Sequence, residues 1–163
     1  KEDLFKYASK LNNSNKYDFV ILNHSLEHFS DPLKAIDSIS KLLKPNGFCY
    51  IVVPNFKSKI SYLTRNCWGW LQPSVHYFHY NPSGLTKLFE KRNFKVHFNS
   101  SQGGDSIFIF LTFYNLLSYI FNLKLKLHKT SFLKKITIKF SSLFMKYVYY
   151  IGDDESLLLF KKK

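Results

Sequence analysis

The sequence predicts an α/β fold in which apolar strands alternate with capped helices. Two apolar runs carry this prediction, at residues 17–23 and 48–53, and a helical pattern lies between them. The first run is nearly continuous, which is typical of a strand covered on both faces. The order strand, helix, strand predicts a parallel pair of strands with a right-handed crossover.

The helix between the two strands has a clear beginning and end in the sequence. Asp31 is placed to cap it, and Pro32 occupies the first helical position, where a missing N–H has no cost. Lys41 and Lys44 suit the negative end of the helix dipole. The turn Pro45-Asn46-Gly47 predicts where the helix stops.

A second unit repeats this pattern. Asn81 caps a helix that begins with Pro82, and Asn93 can adopt the left-handed conformation that ends it. Further strands are predicted at 95–99 and 156–160. Residues 107–123 are apolar but fall short of the ~20 residues that a membrane-spanning helix needs.

Residues 106–152 have a different composition, with seven lysines and no acidic residue. Within them, residues 132–151 predict an amphipathic helix with a basic face. Two interpretations remain open. The segregated charge would allow peripheral contact with an anionic membrane surface through 132–151. The helix could equally be a lid that packs over the sheet and leaves its lysines in water.

Composition limits the class of protein. A chain of 163 residues is about one domain, and its net charge is +13. Arg65 and Arg92 are the only arginines, and phosphate and base recognition favours the guanidinium, so we expect no nucleic-acid partner. Cys49 and Cys67 lack zinc-ligand or redox spacing, which favours a reducing, cytoplasmic location. Because the chain starts at Lys1, we do not expect it to begin at a natural start.

Two motifs resemble those of a known family. The first is Asn23-His24-Ser25-Leu26-Glu27-His28 with Asp31-Pro32 after it, and the second is LLKPNG at 42–47 with Pro54-Asn55 after it. They resemble the class I S-adenosylmethionine-dependent methyltransferases of the small-molecule branch, which read NHxLEHxxDP and LLKPGG. The resemblance implies a partial Rossmann-like doubly wound sheet, the C-terminal half of that fold, with its glycine-rich cofactor loop upstream of this chain.

The same resemblance implies how the chain is divided. We expect one N-terminally truncated domain over 1–163, with the core sheet and helices at 1–100. A helical lid or insertion is expected at 105–151, before the final strand at 152–163. The last two strands are expected to pair antiparallel. Without its upstream part, the strand at 17–23 would be an exposed, apolar edge.

The resemblance also implies the cofactor S-adenosylmethionine and the residues near it. Asn23, His24 and Ser25 follow the first strand, so they would face the methionine and sulfonium region of the cofactor. Asp3 and Leu4 match the positions that hold the adenine. Two other interpretations stay open: a polar turn that simply caps the strand, and a frayed terminus.

Candidate catalytic residues come from the first motif and from residues 68–80. Histidine is the side chain most suited to general-base catalysis near neutral pH, so His28 is a candidate base, and Glu27 could orient it. His76 matches a family histidine in an aromatic segment over the acceptor pocket, where Val75 replaces the family arginine. The alternatives are that Glu27 and His28 only order the turn, and that His76 only forms a hydrogen bond within the lid.

A metal site is weighed against these roles. Small-RNA 2′-O-methyltransferases are similar at E-x-x-E-H and a later histidine, and they bind a divalent ion. The matching residues here are His24, Glu27, His28 and His76, so the first glutamate is a histidine. The change weakens the preference for a hard, oxygen-loving ion. We therefore predict no metal.

The function predicted for the parent protein is methyl transfer to a small-molecule acceptor, with sugars and lipid-linked intermediates as candidates. The 163-residue chain alone is expected to be inactive. Two alternatives are kept: a non-catalytic module that binds membranes or nucleic acid through 106–152, and another doubly wound enzyme, such as a dehydrogenase or nucleotide-sugar enzyme. The sequence does not predict the oligomeric state.

Overall fold

A computed structural model of the chain describes residues 3–10, 16–103, 106–120 and 152–163. Within these ranges four strands form one sheet, and helices precede or follow each of them. The α-helices are α1 (Leu4–Lys10), α2 (Pro32–Leu42), α3 (Lys59–Thr64), α4 (Pro82–Glu90) and α5 (Ser106–Ile120). The strands are β1 (Tyr17–Asn23), β2 (Leu43–Pro54), β3 (Phe94–Gln102) and β4 (Glu155–Lys162). The helix expected over 132–151 lies outside the described residues.

The sheet has the strand order β1-β2-β4-β3. β1 and β2 run parallel, with Val20 opposite Cys49 and Asn23 opposite Val52. β4 pairs antiparallel with both β2 and β3. The structure thus confirms the parallel pair and the antiparallel last pair, and the fold class is α/β as expected.

Helix α2 forms where the sequence predicts it but ends earlier. The Asp31 carboxylate accepts a hydrogen bond from the Lys34 N–H at 3.0 Å, as expected of a cap. The prediction that the helix extends through Lys44 is wrong, because Leu43 already pairs with Tyr17 and opens β2. Leu43 is fully buried, and Lys44 turns outward to pair with Asp18 at 2.8 Å. The free energy gained by burying Leu43 in the sheet is therefore larger than that of extending α2 by these residues.

The second unit also follows its sequence signals. The Asn81 side chain accepts from the Gly84 N–H at 2.9 Å, and Asn93 has a φ of 61° after the end of α4. β3 and β4 are longer than predicted. Their extra residues face each other, as in the pair Gln102 and Glu155.

The core lies between one face of the sheet and helices α2 and α4. Phe89 on α4 stacks on Phe160 on β4 with ring centroids 4.1 Å apart, and it meets Phe94 edge-on at 5.2 Å. Fully buried aliphatic side chains of the same core cluster include Leu26, Ile36, Ile39, Leu43, Ile51, Val53, Leu85 and Leu158. This packing fixes the sheet against both helices.

Strand β1 forms one edge of the sheet. The prediction that both of its faces are covered is wrong for the described residues, since Phe19 is 47% exposed and Ile21 is 63% exposed. The expectation of an exposed, apolar edge at 17–23 is confirmed. Apolar side chains on an unpaired edge are a liability for a free chain, because another strand can add there.

No helix among the described residues is both long enough and apolar enough to cross a lipid bilayer.

The packing of α4 leads to a stability prediction. Replacing fully buried Phe89 with alanine removes both ring contacts and leaves a cavity, so the free energy of unfolding should fall by about 3–5 kcal/mol. Phe98→Ala is the matched control, because that ring is half exposed on β3 and should cost under about 1 kcal/mol. Urea denaturation followed by circular dichroism measures both. Equal losses in the two variants would show that α4 does not anchor the core.

Candidate functional site

The site lies where the parallel strands β1 and β2 end. The His24 N–H donates to the Val52 carbonyl oxygen at 2.9 Å, which continues the strand pairing by one residue. His24 has a φ of 45°, so the chain turns sharply there. A single 3₁₀ turn at Leu26–His28 follows and leads to the cap of α2. Polar side chains are thereby gathered at the carboxyl edge of the sheet, where ligands bind in folds of this kind.

The aromatic segment at 68–80 is tied to this turn. The Glu27 carbonyl oxygen accepts from the Tyr77 N–H at 2.9 Å. The His28 ring bonds through Nδ1 to the Val75 carbonyl oxygen, also at 2.9 Å. These two links hold the segment against the turn.

Glu27, His28 and His76 meet as a result. One possible ligand atom from each lies within 4.8 Å of the others, and the two imidazole rings face edge-on with centroids 4.8 Å apart. Glu27 is 1% exposed and His76 is 7% exposed, whereas His28 is reached by solvent. The three residues proposed from sequence as catalytic therefore form one cluster with one open side.

The tautomers of the two histidines follow from their partners. The His76 Nδ1 lies 2.8 Å from the Trp70 carbonyl oxygen, and the His28 Nδ1 bonds to Val75 in the same way. A carbonyl oxygen can only accept, so Nδ1 carries the proton in each neutral ring and Nε2 keeps its lone pair. Burial lowers the pKa of His76, which favours its neutral form.

His24 is held differently from the other site histidines. Its ring lies between two buried carboxylates, with Nδ1 3.6 Å from Glu27 and Nε2 3.5 Å from Glu155, and it stacks on Trp70 at 4.7 Å. Burial of the ring opposes its charge, but the Glu155 and Glu27 carboxylates outweigh this and raise the pKa of His24 to about 9. His24 is thus an imidazolium at neutral pH, and it joins the turn to β4.

Sequence reasoning missed the acidic residues that support the site, Asp154 and Glu155. The buried Asp154 carboxylate accepts from the Ser58 hydroxyl at 2.7 Å and from the Trp68 indole N–H at 2.9 Å. Burial raises the pKa of Asp154. The available signal was Asp153-Asp154-Glu155, an acidic triplet directly after a long segment without acids.

Of the expected cofactor residues, Asn23, His24 and Ser25 lie at the carboxyl end of β1, whereas Asp3 and Leu4 lie at the beginning of α1. Asn23 is exposed, and the Ser25 hydroxyl donates to its carbonyl oxygen at 2.9 Å. Asp3 caps α1 by accepting from the Phe5 N–H at 2.9 Å. The Phe5 ring meets Phe29 edge-on at 5.6 Å, which places the beginning of α1 beside the turn.

Helix α5 covers the other side of the aromatic segment. The Phe108 ring stacks on Trp70 with centroids 3.6 Å apart, and the Thr112 hydroxyl oxygen accepts from the Gly69 N–H at 2.7 Å. A β-carbon on Gly69 would lie 2.2 Å from the Phe108 carbonyl oxygen, so the close approach requires glycine. The part of the expected lid that the structure describes thus packs directly over the site segment.

A groove of about 760 Å³ lies along the connection that follows β2, where its lining residues run from Phe56 to Leu71. Phe56 lines it and also stacks on His79, with centroids 5.5 Å apart, and the His79 ring lies 6.0 Å from His76. Its other lining residues include three cations and a tyrosine: Lys57, Lys59, Tyr62 and Arg65. The groove could hold a small molecule with an apolar body and an acidic group, and the rings of Phe56 and His79 link its wall to His76.

Comparisons with known proteins agree with this geometry. The family profile described as "Methyltransferase domain" matches residues 1–98. The chain therefore belongs to the methyltransferase domain family. A search of the curated proteins found no match.

Solved structures show the same fold at low sequence identity. An S-adenosylmethionine-dependent methyltransferase from Archaeoglobus fulgidus is 18% identical with a TM-score of 0.54, over 99% of this chain and 66% of that one. Phosphoethanolamine N-methyltransferase 2 from Haemonchus contortus, in complex with S-adenosyl-L-methionine, is 15% identical with a TM-score of 0.54, over 98% of this chain and 36% of that one. The [4+2]-cyclase SpnF is 14% identical with a TM-score of 0.52, over 91% of this chain and 50% of that one.

These matches show the fold and how much of each similar structure the chain covers. The fold class is confirmed as the Rossmann-like α/β sheet of these enzymes. The chain spans between about one third and two thirds of the length of these structures. A cyclase among them shows that this fold alone does not define the reaction.

The Asp154 contacts generate a second prediction. Asp154→Ala leaves the Ser58 hydroxyl and the Trp68 indole N–H buried without an acceptor, which should cost about 2–4 kcal/mol of stability in total. Tryptophan emission should shift to longer wavelength as the segment loosens. Asp37→Ala removes an exposed ion pair with Arg92 and should cost under about 1 kcal/mol without an emission shift. Identical spectra and stabilities for both variants would contradict the anchoring role.

Proposed function

We propose that this chain is the acceptor-binding part of an S-adenosylmethionine-dependent methyltransferase that acts on a small molecule. The single observation that carries the proposal is the Glu27–His28–His76 cluster, at the carboxyl edge of the parallel pair in a chain of the methyltransferase domain family. When bound, the cofactor supplies an electrophilic methyl group on a sulfonium. The protein has to align an acceptor with it and assist loss of the acceptor's proton.

Asn23, His24 and Ser25 are proposed to line the amino-acid end of the cofactor pocket, and Asp3 and Leu4 its adenine end. The support is the position of the first three at the carboxyl end of β1 and the packing of α1 beside the turn. The His24 side chain is engaged by Glu27 and Glu155. We therefore assign His24 to shaping the turn through its backbone and ion pairs.

Glu27, His28 and His76 are proposed to activate the acceptor. Each histidine presents the lone pair of Nε2, and Glu27 adds a carboxylate in a setting with little solvent. Charge–charge interactions are stronger in such a setting than in water. An acceptor hydroxyl or amine at the open side, next to His28, would become more nucleophilic as its proton is drawn away.

The groove beside the cluster suggests the class of acceptor. Lys57, Lys59 and Arg65 would pair with a phosphate or carboxylate, while Phe56 and Tyr62 would contact an apolar body. This fits a phosphorylated sugar or a lipid-linked intermediate.

The 163-residue chain alone is proposed to be inactive, as one truncated domain. The support is the bare edge of β1 and the partial coverage of the similar structures. A cytoplasmic location for the parent protein remains part of the proposal. For the alternative of membrane or nucleic-acid binding through 106–152, the structure describes residues 106–120 and 152 of that segment. Helix α5 there faces Trp70 and Gly69.

The third prediction concerns activity. With labelled S-adenosylmethionine and a pool of phosphorylated metabolites, the encoded polypeptide that includes residues upstream of Lys1 should transfer methyl groups. His28→Ala in that polypeptide should lower kcat about 10²–10⁴-fold, because activation of the acceptor is lost. His97→Ala, on exposed β3, is the control and should leave kcat unchanged.

The 163-residue chain serves as the second arm of the same assay and should show no transfer. Transfer by this chain would refute its proposed incompleteness. Full activity of the His28→Ala polypeptide would refute the assigned role of the cluster.

A further inference from the structure

We propose that Glu27, His28 and His76 bind a divalent transition-metal ion of the Zn²⁺ or Co²⁺ type. The inference deepens the proposed function, and its catalytic consequence rests on that function. Metal binding itself does not, because it needs only these three side chains. The proposal differs from the prediction of no metal made from the sequence, because it uses distances, burial and hydrogen bonds that the sequence does not show.

The first observation is distance. One donor atom from each residue lies within 4.8 Å of the other two. In a tetrahedral site with metal–ligand bonds of about 2.0–2.2 Å, donor atoms are about 3.4 Å apart. The three donors therefore need to approach one another by about 1.4 Å, which small side-chain rotations can supply.

The second observation is the state of the Glu27 carboxylate. It is 1% exposed, and neither of its oxygens has a hydrogen-bond partner among the described residues. A buried carboxylate without hydrogen bonds is strongly unfavourable, so buried carboxylates are generally paired or bound to a metal. A cation at the cluster would satisfy this one.

The third observation is the orientation of the two imidazoles. Each ring donates Nδ1–H to a backbone carbonyl oxygen, Val75 for His28 and Trp70 for His76. This arrangement is the one that outer partners give to metal-binding histidines, because it fixes the tautomer and leaves Nε2 as the ligand. Both carbonyls belong to the aromatic segment, so one segment orients both rings.

Ligand chemistry selects the class of ion. Two imidazoles and one carboxylate suit borderline ions such as Zn²⁺ and Co²⁺, whereas Mg²⁺ prefers oxygen ligands alone. Three protein ligands leave a position open, as in catalytic zinc sites. Since His28 is the exposed member, that position would be open to solvent beside His28, where an acceptor hydroxyl could bind the ion and lose its proton more readily.

His24 is the competing partner of Glu27. Its Nδ1 lies 3.6 Å from Glu27 Oε1, too far for a hydrogen bond but close enough for an ion pair. Its other nitrogen lies 3.5 Å from Glu155. His24 can thus keep one carboxylate while Glu27 binds the ion.

The experiment is a metal titration of the 163-residue chain after dialysis against a chelator. Isothermal titration with Zn²⁺, and visible absorption with Co²⁺, should show one ion per chain, and Mg²⁺ should not compete. Glu27→Gln and His28→Ala should each weaken binding by about tenfold or more and change the Co²⁺ spectrum. His97→Ala is the matched histidine control and should bind normally.

The possible outcomes are distinct. No stoichiometric binding, equal binding in Glu27→Gln, or equally tight Mg²⁺ binding would overturn the metal site. Glu27→Gln keeps the shape of the side chain and His28 is exposed, so circular dichroism should show both variants folded. If the longer polypeptide transfers methyl groups without binding metal, this inference fails and the proposed function stands. If the longer polypeptide binds the metal but transfers no methyl group, the metal site stands and the proposed function fails.

Discussion

The burial of the Glu27 carboxylate is the constraint on which the rest of the site depends. A carboxylate that is 1% exposed has to be compensated by neighbouring positive or donor groups. The His24 imidazolium supplies a positive charge 3.6 Å away, and the rings of His28 and His76 complete the cluster beside it. The Glu27 backbone carbonyl accepts from the Tyr77 N–H and so binds the segment that carries His76. The turn after β1 therefore cannot change shape without disturbing the segment over it.

The sheet explains why such a turn can exist at this place. Parallel pairing of β1 with β2 brings both carboxyl ends to one edge, and antiparallel β4 returns its first residues to the same edge. Asp154 and Glu155 arrive there with it, and they hold Trp68 and His24. Two parts of the chain about 130 residues apart thus build one network. The groove beside it is lined by residues from the connection that follows β2.

The sequence predicted the features that depend on neighbouring residues. Asp31 and Asn81 cap helices as expected, because a cap is set by local hydrogen bonds. The parallel pair followed from the order of apolar segments. The end of α2 was misplaced because the extended conformation of Leu43 depends on its pairing with Tyr17 of β1. No signal in the neighbouring sequence reveals that pairing. The coverage of β1 was overestimated, since an apolar run does not say which elements pack over each face of the strand.

The site was predictable only in part for the same reason. The resemblance to methyltransferases brought His76 together with Glu27 and His28, although 48 residues separate His76 from His28. Neither spacing nor composition could show that backbone carbonyls orient both rings, or that Glu155 completes the pairing of His24. Those facts arise from how the connections fold over the sheet edge. The cationic groove likewise combines residues of α3 with the ring of Phe56, from the connection after β2.

The most direct measurement of the central claim is the tautomeric state of the site histidines. Long-range ¹H–¹⁵N correlation spectra of the chain would assign each imidazole nitrogen. This account predicts that His28 and His76 carry their proton on Nδ1 and that added Zn²⁺ shifts their Nε2 resonances. Protonation on Nε2 in both rings, with no response to Zn²⁺, would contradict it.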